Sequence, residues 1–286
     1  MPLSALLLIL FAAWCHATWN LFLKKSKGGG IAFFWLVAWF ESLIYAPLTL
    51  MQLWQSAWLP DARALAMMLG SALIHVAYFV FLDRSYRSGD LSVVYPLARA
   101  SGPLLTIAAA ITFLGEQPAP VALGGALLIA CGAVLLSGSP LAMFRRGGHG
   151  IGFALATGAM IALYTVWDRQ AVAAFLIPPI VFYWGSIVMR LVVTTPASLK
   201  RIDEVRAIWR DDKRAVLAVA VLSPLSYCMA LYAMTLAPLS YVAPAREISI
   251  LVAALYGTHF LKEGDARRRI LAALLMLLGL AGIALA

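Results

Sequence analysis

Charge is what this chain has least of. Asp, Glu, Lys and Arg make up 12% of its 286 residues, against about 25% in an average soluble domain. Hydrophobic residues make up 63%, and mean hydropathy is +0.89. These values exclude a soluble globular domain and leave a polytopic helical membrane protein. Cysteine is scarce as well. Cys15, Cys131 and Cys228 all fall in apolar runs without metal-ligand or redox spacing, so they read as packing residues. No HExxH pair, acid-rich metal motif or GxxxxGK[ST] phosphate loop is present, which removes the sequence grounds for a catalytic metal, a bound cofactor or direct use of ATP. The longest polar stretch, 199–214, is a charged connector too short for a domain. Acidic side chains number 13 against 22 basic ones, a net charge of +9. The basic residues are divided by membrane side and form no patch beside exposed stacking aromatics, so nucleic acid is not the expected partner.

What the chain does have is long apolar runs. A hydrocarbon core of ~30 Å needs roughly 20 residues of helix, and such runs occur near 2–22, 31–51, 62–83, 91–114, 118–137, 151–172, 177–196, 214–235, 239–261 and 268–286. The spacing predicts ten spans in an all-α integral membrane fold. The first lacks a basic leader and reads as a retained helix. Alternating the loops between two sides places Arg63 and Arg169 on one side. Seventeen basic residues, among them Lys24, Arg84, Arg145, Lys200 and Arg268, fall on the other. The positive-inside rule makes the second side cytoplasmic and puts both termini outside.

The spans repeat. At an offset of 147 residues Arg99 meets Arg246, Leu104 meets Leu251, Phe113-Leu114 meets Phe260-Leu261, Glu116 meets Glu263, and Gly132 meets Gly279. The expected organisation is a first five-helix repeat over 1–137, a cytoplasmic linker over 138–150 and a second repeat over 151–286. Five spans is an odd number, so the second copy enters the membrane inverted, as the halves of secondary transporters do.

Charge inside a span costs about 2.5 to 3.5 kcal/mol on insertion scales and needs a partner, a wet cavity or a purpose. Arg99 and Arg246, counted at about 1.5 Å per residue, lie roughly 10 to 12 Å from opposite membrane faces. Pro96 and Pro244 precede them. Each proline removes a helical hydrogen bond, so they read either as gating bends or as simple kinks. Each arginine either serves the pathway or snorkels and pairs locally, Arg246 with Glu247 for instance. Glu41 and Arg190 correspond once Phe33, Trp35 and Pro47 are set against Phe182, Trp184 and Pro196. They are expected as a structural or gating ion pair, and Glu41 is the candidate carrier if a proton is coupled. His16, His75, Tyr78 and Tyr164 are deeper handles that either hydrogen-bond between helices or line a cavity, with Thr165, Asp168, Ser226 and Tyr227 as further polar positions on spans six and eight. Trp54, Trp58 and Trp167 read as interface anchors.

The ten spans in two inverted copies, the His16-Ala17-Thr18-Trp19-Asn20 run, and Phe113-Leu114-Gly115-Glu116 echoed by Phe260-Leu261-Lys262-Glu263 resemble the EamA-type carriers of the drug/metabolite transporter superfamily. Within them, the nearest likeness is to the YddG-like branch of bacterial amino-acid and metabolite exporters. The resemblance implies a central cavity formed by spans one to four and six to nine, with spans five and ten outside it, where Gly124, Gly125, Gly132, Gly279 and Gly282 suit close packing. It also implies a multi-pass protein of the bacterial inner membrane. Small four-span relatives use a glutamate in the first helix for proton-coupled exchange; here that helix carries His16 and Asn20 and no acid. The expectation is a carrier, working as a monomer, that exports small metabolites, amino acids foremost, by alternating access. Arg246 would meet the substrate carboxylate, with His16, His75, Tyr78, Tyr95, Tyr164 and Tyr227 around it. Other solutes such as sugars or toxic organic compounds remain the alternative, and a membrane-embedded enzyme the remote one.

Overall fold

The computed structural model describes residues 1–26, 30–88, 91–137, 150–261 and 266–286. The expected linker over 138–150 falls almost wholly outside these, as do Lys262 and Glu263. In lipid a backbone must satisfy its polar groups internally, and the apolar runs accordingly become helices: α1 (Leu3–Lys25), α2 (Gly30–Ser56), α3 (Ala62–Ser88), α4 (Leu91–Leu114), α5 (Pro120–Ser137), α6 (Gly150–Arg169) with a π-helical turn over Gln170–Ala174, α7 (Pro179–Leu199), α8 (Ile202–Leu236), α9 (Leu239–Ala245), α10 (Ile248–Leu261) and α11 (Ala266–Leu285). Among the described residues nine helical segments are long and apolar enough to cross a bilayer, and Pro120–Leu136 is a shorter apolar helix. Large apolar side chains such as Leu43, Leu50, Val192, Leu255 and Leu278 face outward, where lipid is their solvent.

Helix neighbours follow the duplication. Contact of α1 with α8 is matched by α6 with α3, α1 with α10 by α6 with α4, and α2 with α8 by α7 with α3. The pairs α2–α7, α4–α9 and α5–α11 join counterpart spans. The Met1 ammonium donates to the Ala284 carbonyl at 3.2 Å, so both ends of the chain emerge on the same face.

The α5–α11 pair shows why its glycines are there. A Cβ on Gly125 or on Gly279 would collide with the other's carbonyl oxygen, and one on Gly132 with the Met276 side chain. Small residues let these backbones touch, and contact of this kind holds helices together where lipid offers no hydrophobic drive. Gly282 is looser, and Gly124 has open space beside it, so the close-packing role expected of Gly124 does not hold.

Two elements depart from a ten-rod picture. Span nine is broken: α9 ends at Ala245, Arg246 and Glu247 form a turn, and α10 begins at Ile248. The turn is tightened by i→i+3 bonds, Glu247 N–H to Pro244 O at 3.0 Å and Ile250 N–H to Glu247 O at 2.9 Å. Span four, its counterpart, runs unbroken from Leu91 to Leu114. An interruption therefore exists in the second copy alone, because proline on its own bends a helix without ending it. In span eight the charged connector is helical: Ile202 to Asp211 continues into the membrane part through a kink at Asp212. Its Val205 and Ile208 are buried with Phe33, Leu36 and Val37 of α2, and Trp209 stacks on Phe40 at 4.8 Å.

Candidate functional site

Most polar groups in the helices are already satisfied. Thr165 donates to Ile161 O at 2.6 Å, Thr157 to Phe153 O at 2.7 Å and Ser186 to Phe182 O at 2.8 Å. This back-bonding lets a hydroxyl sit in an apolar helix without a further partner. Ser226 donates to Ala12 O at 2.8 Å, tying α8 to α1. Trp167 is no interface anchor. Its indole N–H donates to Met67 O at 2.8 Å, and its ring lies against Gly70, where a Cβ would strike it. Trp54, at 88% exposure, remains at the surface.

Charge is paired between the two copies. Arg190 Nη2 lies 3.5 Å from Glu41 Oε2, at the α2–α7 contact. Two indole bonds join the same two helices, Trp35 to Thr195 Oγ1 at 2.9 Å and Trp184 to Ser42 O at 2.8 Å. Arg99 Nη2 lies 3.1 Å from Glu247 Oε2 and donates to Ser249 Oγ at 3.4 Å. The local alternative, Arg246 with Glu247, is thus not what forms. Glu247 is taken by the arginine of the other copy, and the long Arg99 side chain brings the two duplicated positions together. Arg99, Pro244 and Glu247 also line a shallow groove with Ile107, Ile129 and Ala133. A third cross-copy contact is made by Glu116, whose carboxylate accepts from Leu239 N–H and Ser240 N–H, each at 2.8 Å. It caps the α9 N-terminus, where a negative charge is favoured, with Arg169 Nη2 3.9 Å away.

Arg246 is left for other work. Among the described residues it enters no ion pair; its guanidinium stands 5.1 Å from the centre of the Tyr227 ring. Tyr227 belongs to a chain of rings from four helices. His75 of α3 stacks on Tyr164 of α6 at 4.3 Å, Tyr78 meets Tyr164 edge-on at 5.8 Å, and Tyr227 of α8 meets Tyr164 at 6.3 Å and Tyr183 of α7 at 5.3 Å. The His75 Nδ1 is 2.8 Å from Ser71 O; with Nδ1 donating there, Nε2 is the acceptor. His75, Tyr78, Tyr164, Tyr227 and Arg246 each keep part of their surface open while contacting one another in the middle of the helix bundle.

The remaining expected residues divide. His16 meets Trp19 edge-on at 4.9 Å and lies within the fields of Arg99 and Arg246, but its ring contact is not with the tyrosine chain. The side chains of Tyr95 and Pro96 are outside the described residues. Pro244 lies in the last turn of span nine's first half, two residues before Arg246. The sequence reading named Asp168 only among the polar handles and did not name Tyr183. Asp168 is wholly buried and accepts from the Tyr227 hydroxyl at Oδ2, 2.6 Å away. Asp168 follows Tyr164 by four residues and so shares its helical face, which was a readable signal. The Tyr227 bond came from a helix 59 residues away and was not.

Residues 148–285 match the profile of the EamA-like transporter family. No curated protein matches the chain significantly. A protein of known crystal structure shares the fold, with a TM-score of 0.78 at 16% identity over 100% of this chain and 98% of that one. With the membrane-length helices, the match supports a multi-pass membrane protein whose second half is similar to the EamA-like transporter family.

Proposed function

We propose that the protein is a secondary carrier of the YddG-like kind that exports small metabolites, amino acids first among them, across a bacterial inner membrane by alternating access of its two five-helix copies. The observation that carries this reading is Arg246, a cation that enters no ion pair among the described residues and stands over Tyr227, one of a chain of five aromatic rings. An arginine offers a carboxylate two parallel hydrogen bonds and keeps its charge. The rings offer an apolar face with hydroxyl tips. Arg246 also lies at the broken turn of span nine, and interrupted helices of this sort coordinate solutes in carriers. The ion pairs Glu41–Arg190 and Arg99–Glu247 tie the two copies together and are placed to break and re-form as the copies rock. Glu41 is the proton carrier if transport is coupled.

Counterflow in proteoliposomes tests this, with labelled aromatic, aliphatic, acidic and basic amino acids, a sugar and a lipophilic cation. Saturable exchange of amino acids that falls at least tenfold in Arg246→Ala is the expected result. Exchange confined to the sugar or the cation, or unchanged in Arg246→Ala, overturns the carboxylate role.

A further inference from the structure

Asp168 is an acidic group beside the ring chain that the carboxylate reading does not use. Its residue is 0% exposed. Oδ2 accepts from Tyr227, and Oδ1 is buried with no hydrogen-bond partner. The Ser71 hydroxyl is a further hydrogen-bonding neighbour of the carboxylate, outside hydrogen-bond geometry to Oδ1. Among the described residues Asp168 also enters no ion pair; Arg246 and Arg190 reach it through their fields alone. A buried acid with an empty acceptor is costly unless something completes it. The carboxylate sits immediately before Arg169 and the π-helical turn Gln170–Ala174, where Phe175 N–H bonds Gln170 O at 3.0 Å. Such turns occur frequently at functional sites.

Tyr227 relates this acid to Arg246. Its ring face holds the guanidinium at 5.1 Å, and its hydroxyl holds Asp168 at 2.6 Å. A positive and a negative group are thus separated by one phenol. In an α-amino acid the carboxylate and ammonium are carried on a single carbon, with opposite signs in the complementary order. We infer that Asp168 Oδ1 receives the ammonium group of the cargo, so that Arg246 and Asp168 together select a zwitterion and reject acids that lack the amine. The inference rests on the carrier reading above and adds a second specificity residue to it. Tyr227 is the spacer that sets the distance between the two poles, and the His75–Tyr164 stack is left to face the cargo side chain.

The test measures inhibition of labelled phenylalanine counterflow by three compounds: unlabelled phenylalanine, 3-phenylpropanoate, which lacks the amine, and N-acetylphenylalanine, whose amine cannot carry charge. In the wild-type protein, phenylalanine should outcompete both analogues at least tenfold, a result that needs no variant to fold. In Asp168→Asn, whose amide can keep the Tyr227 bond, phenylalanine should weaken about tenfold while 3-phenylpropanoate is unchanged, and Asp168→Glu should restore part of the difference. Equal inhibition by all three compounds in the wild type overturns the ammonium site while leaving the carrier intact. So does an Asp168→Asn variant that melts as the wild type does and keeps the amine preference, including one that loses only its response to a proton gradient. If no amino acid exchanges at all, the carrier reading itself has failed and this inference falls with it.

Discussion

At the residue scale the governing fact is that two intramembrane ion pairs join the copies, Glu41–Arg190 and Arg99–Glu247, while among the described residues Arg246 and Asp168 enter none. Glu247 is 9% exposed and bound to Arg99. Removing one member of a buried pair leaves the other uncompensated, a loss of about 3 to 5 kcal/mol in well-buried cases. The part-open Arg99 side chain, 21% exposed, brings the expected loss toward the lower end. Arg99→Gln should therefore melt several degrees below wild type in detergent, while Arg99→Met with Glu247→Met should recover much of that loss. Equal melting of the single and double variants would show that the pair is not coupled. Arg246→Lys separates charge from geometry. A lysine keeps the charge but not the fork, so counterflow of a carboxylate solute should fall between wild type and Arg246→Ala, through a higher apparent KM.

At the element scale, span nine and the α5–α11 seam differ in what their small and special residues do. In span nine Pro244 lies in the last turn of α9, ahead of the turn that presents Arg246, and Glu116 caps the other end of the same short helix. Replacing a helix cap by alanine costs about 0.5 to 2 kcal/mol, so Glu116→Ala should lower thermal stability by that order and slow exchange by releasing the α9 N-terminus. Unchanged melting and transport would mean that water replaces the carboxylate without consequence. At the seam, Gly279→Val would push a branched side chain into the Gly125 carbonyl. A marked loss of folded protein on size exclusion is expected there, whereas Gly124→Val should be tolerated, because nothing lies within 4 Å of that position. Both glycines belong to one GG-rich helix pair, and the sequence does not distinguish them, since which side of a helix faces its neighbour is set by the rotation of the whole helix.

At the scale of the whole molecule, the Met1–Ala284 bond requires an even number of crossings. Impermeant maleimide should therefore label single cysteines placed at Pro2 and at Leu285 from the same side, in a background where Cys15, Cys131 and Cys228 are replaced. Charge counting expects that side to be the outside; labelling from opposite sides would refute the arrangement of ten crossings. The sequence by itself determined the helical membrane class, the runs that become spans and the 147-residue duplication, because hydropathy acts locally and a copied gene leaves copied letters. It also marked Glu41 with Arg190, since counterpart residues on a self-paired span meet at the symmetry axis. The partner of Glu247, the break in one copy and not the other, the interior place of Trp167, and the joining of Asp168 to Arg246 through Tyr227 were decided by tertiary structure alone. Each depends on the rotation and depth of helices distant in the chain. Lipid and protein interior reward apolar surface alike, so hydropathy carries no signal for which face of a span turns inward.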